Sequence, residues 1–152
     1  MHTRREILKR SATVAGLLAA TGLFPRYALA AWNKAAFDAK SVADALKAYG
    51  ASAPTESKDV MLTAPDIAEN GAVVPFTVAT TLPNVKQLLI LVEKNPNALA
   101  AKFDLTDAVE ANVATRTKMG QSSDVYAVAI MADGKALYTK KEVKVTLGGC
   151  GG

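Results

Sequence analysis

One cysteine, one histidine and one tryptophan are all that the 152 residues hold of those three types. The histidine is His2, so nothing beyond the first turn of chain can build a His-based triad, a Cys–His dyad or an ordinary zinc site. No side chain there titrates near neutrality unless its pKa is perturbed. A single cysteine excludes an internal disulfide framework. Arginine is almost as scarce: after Arg26 only Arg116 remains. With no arginine stripe and no aromatic platform, nucleic-acid binding is excluded. The composition argues against an independent hydrolase or metalloenzyme.

What arginine there is gathers at the start. Thr3-Arg4-Arg5-Glu6-Ile7-Leu8-Lys9 carries an arginine pair, an apolar pair and a lysine, and an apolar stretch runs from Ala12 to Phe24. Ala28-Leu29-Ala30 then offers a small-x-small cleavage site before Ala31. This order of regions is that of an export signal of the twin-arginine type over residues 1–30, which predicts delivery of a folded protein to a bacterial periplasm. The apolar stretch is too short for a comfortable transmembrane helix, so no membrane anchor is expected. The competing reading is an amphipathic surface helix or an uncleaved anchor.

The leader also accounts for the charge. Of 18 basic and 14 acidic residues, five and one fall within residues 1–30, leaving 13 of each in residues 31–152. The basic balance of the whole chain therefore names no acidic partner. About 120 residues, half of them apolar, make one domain with a real core, expected over residues 31–147.

Within that domain the spacing predicts one helix followed by a sandwich of strands. Asn33 can cap a helix bearing Ala35, Ala39, Val42, Leu46 and Tyr49 at helical intervals, with Gly50 as its stop and Trp32 and Phe37 flanking the stripe. Residues 51–58 read as a linker. Turn signals then recur at Asn70-Gly71, Pro83-Asn84, Asn95-Pro96-Asn97, Gly120-Gln121-Ser122 and Asp133-Gly134, which predicts an all-β antiparallel sandwich. Val74, Phe76 and Val78 are expected to face the core. Leu88-Leu89-Ile90-Leu91-Val92 suits a strand buried on both faces. Val109, Ala111 and Val113 alternate as a further strand. Asp133-Gly134 predicts a type I′ hairpin between strands 125–131 and 135–147, the last with Val143, Val145 and Leu147 inward.

The remaining feature is the segment Gly148-Gly149-Cys150-Gly151-Gly152. Cysteine favours burial, but neighbours without side chains give it nothing local to be buried by. Glycine leaves the backbone free, and five extended residues reach roughly 17 Å, the geometry of an arm that can enter a cleft on another protein. Such a thiol is expected to keep a nearly ordinary pKa and to be only a few per cent thiolate at neutral pH. It becomes a useful nucleophile mainly inside another protein's site. The alternative is an interaction module that dimerises through a Cys150 disulfide. A prenylation box needs three residues after the cysteine, and a ubiquitin-like reading of Gly151-Gly152 would leave Cys150 unexplained.

Leader, small sandwich and terminal Gly-Gly-Cys-Gly-Gly after Val143-Lys144-Val145-Thr146-Leu147 together resemble the SoxY family of thiosulfate-oxidation sulfur carriers. The resemblance implies an immunoglobulin-like fold, no cofactor, no metal, and a heterodimer with a SoxZ-like subunit. It implies that Cys150 holds the sulfur substrate covalently, with Gly148, Gly149, Gly151 and Gly152 giving swing and slimness. It also implies that the c-type cytochrome SoxXA couples thiosulfate to the thiolate and that the hydrolase SoxB releases sulfate. In some members a molybdenum and haem sulfane dehydrogenase oxidises the remaining sulfur.

Overall fold

The computed structural model describes residues 3–20, 33–51 and 53–146. The chain divides into two units, residues 1–32 and 33–152. In the first, α1 (Arg4–Ala20) opens on a reciprocal cap: the Thr3 amide donates to Glu6 Oε2 and the Glu6 amide donates to Thr3 Oγ1. Among the described residues no helix is long and apolar enough to cross a membrane. The expected cleavage site and Trp32 lie outside the described residues.

The second unit holds nine strands among its described residues: β1 (Thr55–Glu56), β2 (Val60–Thr63), β3 (Ile67–Ala68), β4 (Val74–Thr80), β5 (Val85–Val92), β6 (Leu99–Asp104), β7 (Asn112–Thr117), β8 (Ser123–Met131) and β9 (Ala136–Val145). One sheet runs β1-β9-β8-β5-β6, with β3 on the far end of β9, and the other runs β2-β4-β7. The long pairings are antiparallel, as expected of the sandwich, and the two-residue β1 and β3 lie parallel to β9. Residues 51–58, expected as linker, thus contribute an edge strand.

β5 is buried on both faces, and each face belongs to a different core. Leu88, Ile90 and Val92 pack with Val74, Phe76 and Val78 of the smaller sheet, the three positions expected inward. Leu89 and Leu91 point the other way, to a layer containing Leu46, Leu99, Val128 and Ile130. That second layer is roofed by helices, so an uninterrupted apolar run was required.

The roof is two helices where the spacing predicts one: α2 (Lys34–Phe37) and α3 (Val42–Ala48). Asn33 caps α2 as expected, through the Ala36 amide. The chain then breaks because Ser41 adopts an extended conformation and accepts the Asp44 amide as a second N-cap. The break moves the inward stripe: Ala36 is buried and Ala35 exposed, while Ala39 and Leu46 stay inside as expected. Gly50, at φ +75°, ends α3, and the Gly50 and Ala51 amides return to the Lys47 and Leu46 carbonyls.

Two further expectations shift. The Asp133-Gly134 hairpin forms, but among these turn residues only Gly134 has positive φ, and its amide donates to the Met131 carbonyl. This is a three-residue loop closed by a left-handed glycine, not the two-residue type I′ turn. The strand expected from Val109 begins at Asn112, and Val109 is an exposed turn residue because Thr106 and its neighbours fold into hydrogen-bonded turns.

Candidate functional site

The site is built from the end of β9 outward. Val143 is fully buried and Val145 half-buried, whereas Lys144 between them is exposed. This alternation roots the strand in the core up to its last described residues. The Ser122 side chain and the backbone of the 66–68 segment then clamp it. The Val145 amide donates to Ser122 Oγ at 2.9 Å. The Lys144 and Thr146 amides donate to the Asp66 and Ala68 carbonyls at 3.0 and 3.1 Å. β9 is an interior strand at this end only because β3 pairs with it.

A cation locks the β3 strap. Lys141 Nζ lies 2.6 Å from the Ala64 carbonyl and 2.9 Å from Asp66 Oδ1. The hydrogen bond and charge of Lys141 hold the Asp66 carboxyl below its ordinary pKa.

Gly71 completes the root, and here the absent side chain matters. Its carbonyl accepts the Met119 amide at 2.7 Å. A Cβ at position 71 would lie 2.5 Å from the Met119 carbonyl oxygen and 2.8 Å from Val145 Cγ1. The first is backbone and cannot yield without moving the loop. Gly71→Ala is therefore expected to cost about 1–3 kcal/mol, the usual range for overpacking. Faster hydrogen exchange at the Val145 and Thr146 amides should accompany the loss of stability. Unchanged exchange and an unchanged urea midpoint would show that the root tolerates a methyl group.

Cys150 and Gly148, Gly149, Gly151 and Gly152 lie outside the described residues, as does Leu147. What the fold supplies is the anchor from which they depart. Turn signals at 70–71 and 120–122 were legible in the sequence, but not that both turns close on β9. Ser122 is one of several serines in turns, and nothing local marks it as the partner of an amide 23 residues away.

A cleft of about 530 Å³ is not near this root. It is lined by Met61, Leu82, Asn84, Leu105 and Val109 among others. Those residues sit at the end of the sandwich where Val85 pairs with Met131. β9 has ten residues, so roughly 33 Å of strand separates that end from the anchor. From Thr146 to Cys150 is four residues, at most about 14 Å of extended chain, which is shorter than that distance. Among the described residues no group of three or more His, Cys, Asp or Glu side chains could hold a metal ion.

The sulfur oxidation protein SoxY family model matches residues 45–150. The structure of the sulfur carrier protein SoxY from Chlorobium limicola f thiosulfatophilum is similar, at 36% identity and a TM-score of 0.63, covering 72% of this chain and 96% of that one. A superoxide reductase (neelaredoxin) from Ignicoccus hospitalis aligns at 15% identity and a TM-score of 0.52, over 57% of this chain and 80% of that one. That last likeness is one of fold alone. No curated protein matches the sequence.

Proposed function

Because the chain belongs to the SoxY family and acts as a carrier in sulfur oxidation, we propose that Cys150 is the atom of attachment, holding sulfur intermediates covalently while partner enzymes work on them in the periplasm. The observation that supports it most is the anchor: a strand end clamped by Ser122, Ala68 and Asp66, from which four residues lead to the only thiol of the chain. A rigid root with a glycine-flanked thiol suits delivery to another protein's site better than catalysis at home.

The chemistry divides accordingly. Thiolate and thiosulfate lose two electrons to an acceptor as a new S–S bond forms, giving the cysteine S-thiosulfonate. The resemblance assigns that acceptor to the haem of a SoxXA-type cytochrome. Water then cleaves the terminal S–S bond with a SoxB-type hydrolase, releasing sulfate and two protons and leaving a persulfide on the cysteine. Neither step needs a catalytic group from this chain, which supplies the nucleophile and the reach. A SoxZ-like subunit is its expected partner, and the twin-arginine leader its route of export.

The experiment is the intact mass of the protein purified without reductant from cells grown with and without thiosulfate. Masses that add sulfur or thiosulfonate, vanish on reduction and require thiosulfate are expected. An unmodified mass, or only a symmetric disulfide dimer under both conditions, would favour the dimerising module instead.

A further inference from the structure

A second cleft, about 360 Å³, lies close to the anchor, where the free edges of the two sheets, β6 and β7, approach each other. Asn97, Arg116 and Lys118 line it, and no carboxylate does. Arg116 is the only arginine past residue 26. Its guanidinium has no hydrogen-bond or ion-pair partner among the described residues, whereas six lysines pair with aspartates. In a body with equal numbers of acids and bases, an unpaired arginine beside a lysine is a local excess of positive charge.

The walls are held in place. Asn95 Nδ2 donates to the Lys118 carbonyl at 2.7 Å, and Asn95 Oδ1 accepts the Gly120 amide at 3.0 Å. This side chain ties the loop after β7 to the loop after β5. Lys40 Nζ donates to Asn97 Oδ1 at 2.5 Å, which turns the amide oxygen toward a third cation and leaves the Asn97 amino group free to donate. Asn97, Arg116 and Lys118 thus line one depression. A planar guanidinium fork matches the oxygens of an oxyanion two at a time.

We propose that this cleft binds a sulfur oxyanion, with Arg116, Lys118 and the Asn97 amide as its donors. Two sources share that chemistry: free sulfate or thiosulfate, and the sulfonate end of an adduct on the arm. The second is within reach. Met119, next to Lys118, and Val145 both lie within 2.8 Å of the point a Gly71 Cβ would occupy. From Thr146 to Cys150 is four residues, at most about 14 Å of extended chain. Only this arm-borne source rests on the carrier reading.

The test is amide-shift mapping by NMR on the full chain. Sulfate and thiosulfate are titrated into the Cys150→Ser protein, which cannot react. Separately, wild-type thiol is loaded with tetrathionate: the thiolate attacks an inner sulfur, an S–S bond breaks, and thiosulfate leaves with the electron pair, leaving the S-thiosulfonate on Cys150. Saturable shifts at residues 95–97 and 116–118 are expected, weakened about tenfold or more in Arg116→Gln, as loss of a charge-assisted fork implies. Shifts on titration only would assign the site to free anions, and on loading only to the arm. No shift at these amides in either arm, or equal shifts in Arg116→Gln, would overturn the site. Neither arm depends on loading in cells, so this result and the intact-mass result fail independently.

Discussion

Replacing Cys150 with serine is expected to abolish every thiosulfate-dependent adduct and leave the unfolding temperature of the body where it was. The substitution changes one atom in a segment whose neighbours are all glycine. The two cores of the described body are built from residues 36–145. Stability should therefore move by no more than about 0.5 kcal/mol, the range of substitutions away from packed features. For a domain of roughly 120 residues that is about 2 °C at most. Chemistry, by contrast, should vanish outright. A serine hydroxyl is not ionised near neutrality and can form neither a thiosulfonate nor a persulfide. The dimerising module predicts a different pair of outcomes. There the serine variant would lose a covalent dimer on non-reducing gels, and the denatured state would lose a constraint, lowering the unfolding temperature. Mass spectrometry and a thermal melt on the same two proteins separate the cases.

How much of this was legible in the sequence differs by element, and the differences have physical causes. β4 and β5 were legible because their side chains alternate, or run unbroken, against packed layers: Val74, Phe76, Val78 and the run Leu88–Val92 all lie inside. β2, β3 and β6 were not. Leu99-Ala100-Ala101-Lys102-Phe103-Asp104 shows no period of two, because β6 is an edge strand whose small alanines are only half-buried. β1 and β3 have two residues each, and they exist only because β9 offers them an edge. Nothing local encodes a pairing made 77 or more residues away. The helix break at Ser41 was readable in principle, since serine with aspartate three residues on is a capping signal. The longer apolar spacing through Ala39 and Val42 masked it.

The site divides in the same way. A thiol between glycine pairs is visible in any reading of the sequence, because its oddity is local composition. The clamp at its root is not, because Ser122, Ala68 and Gly71 meet β9 only through topology. Arg116 shows both sides of this. Its scarcity was plain, and served to exclude nucleic acid. Its place in the lining of a cleft with residues of β6 needed the fold.

Leu89→Ala is expected to cost about 2–5 kcal/mol, a large part of the roughly 5–15 kcal/mol that holds such a domain folded. Leu89 is fully buried in the layer under the helices, with Leu46, Leu91, Leu99, Val128 and Ile130 around it. The void left by truncation cannot close easily. β5 is hydrogen-bonded on one side to β8 and on the other to β6, so its backbone cannot slide toward the helices. Ile90→Ala, one residue along, should cost a similar amount while emptying the opposite core. If one strand unites the two layers, each variant will lower the denaturant midpoint in a single transition. Far-ultraviolet dichroism and the near-ultraviolet signal of Tyr49, Tyr126 and Tyr138, which pack in the helix layer, should then move together. Separate transitions, with Leu89→Ala shifting only the tyrosine signal, would show instead that the helical roof melts on its own. The single-transition outcome has a functional corollary. β9 is joined to β5 through β8 alone, so the arm's anchor should hold until the whole sandwich unfolds. Loading of Cys150 in Leu89→Ala should therefore match the wild type at temperatures below its transition, and fail only with the fold.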